Sequence, residues 1–270
     1  MINSITLVVI TFNEEKHLER CILSAIDIVE RVVIVDSYST DSTVEIAEKL
    51  SADIFYRSFD NFSNQRNFSL KETKIESDYV LVLDADEYIT KELKNWLLSN
   101  ELDSDGYYIN RRFYWKGVWL RRGYYPLWLL RLGRNGMLEC DSRGINEHLI
   151  LSGSSKIDKA KGDFIDENLS SISDWMSKHN SYSNSEAFLL SHYEKVKVID
   201  QQSRKKWIRY NIWNKLPWPI RLTSLVIYRL IFQRVWLDGS RAIYYMLLDV
   251  FVYRLLTEIK AKEIGWDKRK

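Results

Sequence analysis

Residues 80–87 read V-L-V-L-D-A-D-E, an uninterrupted apolar run that ends in Asp84, Asp86 and Glu87. A buried strand cannot carry carboxylates in its interior. They belong where the strand emerges at the carboxyl edge of a sheet, the place where open α/β folds bind ligands. Asp84 and Asp86 are two apart, so on an extended backbone they point the same way. Two convergent carboxylates suit a hard divalent ion such as Mg²⁺ or Mn²⁺, above all one already carrying a diphosphate. The plainer alternative is an acidic turn ahead of a helix capped by Thr90, and the octapeptide alone does not choose. Two further apolar runs end in polar clusters. Residues 5–10 lead into Thr11-Phe12-Asn13-Glu14-Glu15, and residues 31–35 into Asp36-Ser37-Tyr38-Ser39-Thr40-Asp41-Ser42-Thr43. An aromatic at the first end can stack on a base, and a carboxylate at the second can accept from a base or ribose. The third cluster can hold a metal on the diphosphate. Any one of these signals is weak; in this order the three are specific.

The elements that must position these groups follow from periodicity. Strands are expected at 5–10, 31–35, 52–56 and 79–83. Helices are expected at 14–25, 42–50, 63–71 and 91–99, with Ser39 or Asp41 as a cap for the second. Such alternation implies right-handed crossovers and a mainly parallel sheet. There is no GxGxxG and no GxxxxGK[ST], so the common dinucleotide and P-loop readings lack support. From Gly106 the pattern changes to less regular strands at 107–114, 128–132, 137–140 and 148–151. Between them residues 115–126, W-K-G-V-W-L-R-R-G-Y-Y-P, read equally as a sugar-facing or lid loop and as core. Helices follow at 169–192, 197–213, 220–235 and 240–262, with a break at Pro217 and Pro219.

Length and composition suit one large α/β domain with an appendage: 270 residues, 46% hydrophobic and 28% charged. Cys21 and Cys140 are too few and too far apart for a disulfide framework or a cysteine zinc site, and fit a reducing cytoplasm. The N-terminus has no basic region ahead of its apolar run, and no secretory signal is expected. The net charge of +2 hides an asymmetry. Residues 200–270 hold 15 Lys+Arg against 6 Asp+Glu, a net of +9, which leaves 24 against 31, a net of −7, for residues 1–199. A basic tail rich in Trp and Tyr suits an anionic surface. The 240–262 stripe of Ile243, Met246, Leu247, Val250, Tyr253 and Leu256 is interrupted by Arg241, Asp249 and Arg254, so it does not span a membrane. It reads as an interfacial amphipathic helix or as packing against the main domain or a second subunit.

The chain resembles the family 2 inverting glycosyltransferases of the GT-A fold, and among them the bacterial lipopolysaccharide-core β-1,4-glucosyltransferase-like branch. The motifs are T-F-N-E-E, V-D-S-Y-S-T-D-S-T, N-Q-R-N-F-S-L, L-D-A-D-E, Y-Y-P-L-W-L-L-R-L and R-G-I-N-E-H-L-I-L-S-G, within about residues 5–155. The resemblance implies an α/β fold: a Rossmann-like nucleotide-sugar-binding domain with a mainly parallel central sheet, plus a C-terminal helical extension. Residues 1–160 would form this domain, about 1–100 its nucleotide-sugar half and about 101–160 its acceptor half. Residues 161–270 would be helical, a membrane-surface or oligomer contact. It further implies that Thr11, Phe12 and Glu14 line the nucleoside pocket, that Asp36 binds the base, and that Arg66 lies near the nucleotide. Asp84 would sit nearer the ribose, with Asp86 the direct ligand of a divalent Mn²⁺ or Mg²⁺. Against these stand plainer roles: Phe12 in the core, Arg66 as a surface charge, and Asp41 as a helix cap, which is favoured for it.

An inverting transfer needs a general base for the acceptor hydroxyl. The candidate is Glu147, in Asn146-Glu147-His148, with Glu87 as runner-up. His148 would ligate metal or meet the diphosphate, or be structural. Asn146 departs from the family pattern and leaves the division of labour between Glu147 and His148 open. Arg131 and Arg143 would neutralise phosphate or be solvated. The expected activity is transfer of a sugar from a nucleotide-diphosphate donor, a UDP-hexose, to a glycan or glycolipid in lipopolysaccharide or other cell-surface polysaccharide synthesis. The expected setting is the cytoplasm, peripheral on the inner face of the membrane. The alternatives are a metal-dependent nucleotidyltransferase, which normally brings a Gly-rich basic loop that 11–15 lacks, and a non-catalytic scaffold whose basic helices bind an anionic membrane or nucleic acid. Nucleic acid is disfavoured, because the apolar stripes of those helices look committed to packing or lipid.

Overall fold

The computed structural model describes residues 3–141, 148–153, 156–191, 213 and 216–267. The chain forms two compact units, 1–169 and 170–270. In the first, β1 (Ile5–Thr11), β2 (Arg31–Asp36), β3 (Asp53–Tyr56) and β4 (Tyr79–Asp84) alternate with α1 (Leu18–Ala25), α2 (Thr43–Lys49) and α3 (Phe62–Lys71). These four strands are parallel, in the order β3-β2-β1-β4. Register aligns Thr11 with Asp36 and Ile10 with Asp84. The three polar strand ends therefore share one sheet edge, as the apolar runs imply.

Alternation along these strands builds two cores. Leu7, Val9, Ile34, Leu81 and Leu83 face the α1 side chains Leu18, Cys21 and Ile22. Val8, Val33, Val35, Val80 and Val82 face the opposite side, with Leu138, Cys140 and Leu149. Burial of each such side chain contributes about 1.5–3 kcal/mol, enough to hold the strand ends in fixed register.

The sheet then departs from the parallel pattern. It continues through β8 (Trp128–Arg134), antiparallel to β4, to β6 (Gly106–Trp115) and β11 (Ile157–Glu167). Its far edge is β5 (Glu87–Ile89), just before α4 (Lys91–Ser99), and β7 (Val118–Trp119) folds back on β6. Thr90 caps α4, as expected, its Oγ1 accepting from the Leu93 amide at 3.3 Å. A separate hairpin pairs β9 (Leu138–Cys140) with β10 (Leu149–Leu151). The first unit runs past residue 160 because β11 is a strand of the main sheet. The sequence gives little sign of β11: only Ala160, Asp163 and Phe164 of it are fully buried. Its register shifts between Lys159 and Asp163. There Gly162, at φ +93°, passes so close to α4 that a Cβ would lie 2.4 Å from the Leu93 nitrogen. The 115–126 loop is partly core: Trp115 and Leu120 are buried, while Arg121 and Arg122 are exposed.

The second unit is helical. It comprises α5 (Ile172–Ser191), α6 (Trp218–Ile227), α7 (Ser240–Met246) and α8 (Arg254–Asp267). Wider helical turns extend α6 through Tyr228–Phe232 and join α7 to α8 through Leu247–Tyr253. The 197–213 helix expected from sequence falls almost wholly outside the described residues. Polar ties hold α8 to α5: Tyr253 donates to Glu186 at 2.8 Å, and the Lys260 ammonium donates to Asn180 and Asn184. Among the described residues no helix is long and apolar enough to cross a membrane.

Candidate active site

The edge where β1, β2 and β4 end is built from hydrogen bonds between the polar clusters themselves. Asp36 is fully buried, and its carboxylate accepts from Thr11 Oγ1 at 2.8 Å, the Ser39 amide at 2.7 Å and Ser39 Oγ at 2.6 Å. Three donors on one buried carboxylate fix its direction. Phe12 is 57% exposed, so it is not core. At the neighbouring strand ends Tyr38 and Tyr56 are also exposed and stack, ring centroids 5.7 Å apart.

Asn13, at φ +56°, turns the chain after β1 and accepts from the Thr40 amide at 2.8 Å, tying the first cluster to the second. Asp41 Oδ1 accepts from both the amide and hydroxyl of Thr43 at the start of α2. The N-cap itself is Ser42, whose side chain makes no capping bond, so Asp41 holds the first turn from one position before the cap. Glu14 meets His17, with Oε2 2.6 Å from Nδ1. His17 Nε2 accepts from the Leu169 amide at 2.9 Å, so the ring proton sits on Nδ1 and is donated to Glu14.

Each residue of N-Q-R-N reaches a different partner from α3. Asn64 donates to Asp60 and Gln65 to Ser37, while Asn67 exchanges two hydrogen bonds with the Cys140 backbone. Arg66 is buried, not a surface charge, and its guanidinium lies 2.5 Å from Asp84 Oδ1. Arg131, equally buried, lies 2.9 Å from Asp84 Oδ2 and also pairs with Glu87. Arg131 is thus not a solvated charge. Glu87 is 2% exposed and accepts from the Asp84 amide at 2.9 Å. Burial pushes its carboxyl upward, against the pull of Arg131. A carboxylate engaged through both oxygens is poorly placed to serve as a base.

Asp86 is half-buried and accepts from Asn168 at 2.9 Å. Near it stands a carboxylate that the motifs do not announce. Asp166, at the end of β11, pairs with Arg111 at 3.1 Å. Burial first, and the Asp86 charge second, push its carboxyl up to about 7. The only sequence signal for it is the acidic end of an otherwise unremarkable charged stretch. His148 is exposed and its carbonyl accepts from the Asp141 amide at 3.0 Å. Glu147, Asn146 and Arg143 lie outside the described residues.

Among the described residues no group of three or more His, Cys, Asp or Glu is arranged to hold a metal. With Asp84 committed to two arginines, Asp86 is the carboxylate at this edge best placed for one. One or two carboxylates suffice for an ion held mainly by a diphosphate, so the residues fit that minimal form.

The family model of Glycosyl transferase family 2 matches residues 6–143, about half of the chain, and takes in all three strand ends. The chain belongs to glycosyl transferase family 2. A glycosyltransferase of Rickettsia bellii is 41% identical over 91 residues, which are 34% of this chain and 30% of that protein. The SPbeta prophage-derived glycosyltransferase SunS of Bacillus subtilis is 34% identical over 94 residues, 34% of this chain and 22% of SunS. The matches thus span under a third of the length of these relatives. Among solved structures, S. aureus TarS 1-349 in complex with UDP-GlcNAc is 16% identical with a TM-score of 0.47, covering 94% of this chain and 90% of that one. Glucosyl-3-phosphoglycerate synthase of Mycobacterium tuberculosis, with Mn²⁺, UDP-glucose and phosphoglyceric acid, is 22% identical with a TM-score of 0.32, covering 41% and 44%. The mixed α/β sheet of the first unit is the GT-A fold of this family, and the chain carries C-terminal helices beyond the matched residues.

Proposed function

We propose that this family 2 protein is an inverting hexosyltransferase that takes its sugar from a UDP-hexose. The observation that carries the reading is the convergence of Thr11, Asp36, Asp84 and Asp86 on one sheet edge, with an exposed aromatic, Phe12, beside them. In this reading Phe12 stacks on the base, Asp36 accepts from it, and Thr11 and Glu14 complete the nucleoside pocket. Asp84, clamped by Arg66 and Arg131, faces the ribose. Asp86 would hold Mn²⁺ or Mg²⁺, with His148 a second candidate ligand. The bound ion would supply charge neutralisation to the departing diphosphate.

Glu147 takes the proton of the acceptor hydroxyl. The acceptor oxygen attacks the anomeric carbon on the face opposite the diphosphate, the bond from that carbon to the diphosphate breaks, and UDP leaves with its electron pair. The configuration inverts. The half of the domain at about 101–160 would hold the acceptor, a glycan or glycolipid of lipopolysaccharide or another cell-surface polysaccharide. Such an acceptor places the enzyme peripherally on the inner face of the cytoplasmic membrane. Glu147→Gln is expected to lower transfer by on the order of 10²–10⁴-fold while UDP still binds by calorimetry; retained turnover would remove Glu147 from the mechanism.

A further inference from the structure

The helical unit exposes an apolar surface that its own packing does not use. Val235, Ala242, Met246 and Val250 fill its interior. In the connection between α6 and α7, by contrast, Ile231 is 62% exposed, Phe232 73%, Trp236 52% and Leu237 46%. Tyr228 precedes Ile231 and Phe232 by three and four residues and so lies on the same helical stripe. Four large apolar side chains in so short a stretch, left to water, mark an interaction surface. The charges exposed among them are Arg234 and Arg241, whereas Asp238 is half-buried. An apolar patch carrying Trp and Arg is the composition of an element that rests at a lipid headgroup boundary. The net of +9 over residues 200–270 adds attraction to an anionic leaflet.

We propose that the 231–237 turn inserts Ile231, Phe232, Trp236 and Leu237 into the interface of an anionic bilayer, with Arg234 and Arg241 meeting headgroup phosphates. This deepens the membrane-linked reading above by naming the surface that makes the contact. Vesicle binding needs no donor sugar, so its failure and the failure of the transferase reading are separately visible.

The test is sedimentation of the full chain with vesicles of phosphatidylglycerol or of phosphatidylcholine. Binding is expected to phosphatidylglycerol, weakened by salt, and to be much poorer on phosphatidylcholine. Ile231→Ser with Phe232→Ser should lower it by about tenfold or more. Arg234→Gln should weaken it less and flatten its salt dependence. Ile259→Ser, at an exposed apolar position of α8, should leave it unchanged. All these positions are exposed, so the variants should keep the wild-type melting temperature. A wild type that ignores anionic vesicles overturns the proposal, as does a double variant that binds like wild type. A wild-type dimer that the double variant splits, with no vesicle binding, overturns it in favour of a second copy of the chain.

Discussion

The two halves of the sheet edge are built differently. Where β1 and β2 end, polar groups satisfy one another over short distances: Thr11 with Asp36 and Asn13 with Thr40 across the two strand ends, and Asp41 with Thr43 within the second. Where β4 meets β8, β5 and β11, the charges come from remote parts of the chain. Arg131 reaches back to Asp84 and Glu87, and Arg111 reaches Asp166. The first half uses neutral donors on a carboxylate, which direct it at modest cost. The second uses ion pairs, and in the buried one, Arg131 with Glu87, each charge is costly without its partner. On the proposed reading the first half would orient a base, which needs direction, and the second would receive a diphosphate, which needs balanced charge that a ligand can re-partition.

That contrast makes the second half the more fragile. Arg131→Met should cost about 3–5 kcal/mol in urea unfolding, because it strands Glu87 and half-releases Asp84. Adding Glu87→Gln should recover most of the loss; a single variant as stable as wild type would break the contrast. Asp166 provides a pH signature. Its carboxyl is raised from 3.8 to about 7, mainly by burial, so the folded chain keeps a proton that the unfolded chain releases. Its contribution is therefore full below about pH 4 and lost as the pH rises through about 7. Wild type should lose stability relative to Asp166→Asn over that range, and parallel melting profiles would refute it. In the first half, Thr11→Val removes one donor of three from Asp36 and should cost about 1–3 kcal/mol. The same melts check it, and a loss as large as that of Arg131→Met would erase the distinction.

The difference also explains how much was legible in the sequence. Parallel strands buried on both faces are continuous apolar runs, so β1 to β4 and their polar ends stand out, and family motifs lie on them. Local turns kept Asp41 readable as a carboxylate at the start of α2, one residue before the N-cap Ser42. Arg66 and Arg131 gave no sign of burial, because a guanidinium reads as solvent-facing until its carboxylate partners are brought to it through the fold. Asp166 was missed because β11 packs only a few of its side chains, and β5 is too short to show a period. Glu147, read from a motif, lies outside the described residues.

The central claim, that this edge binds and splits a UDP-hexose, is tested most directly by UDP release from a panel of UDP-hexoses with Mn²⁺ present. The account predicts release from at least one donor, falling to background in Asp86→Ala while that variant stays folded. A folded wild type that releases UDP from no donor and binds no UDP would contradict it.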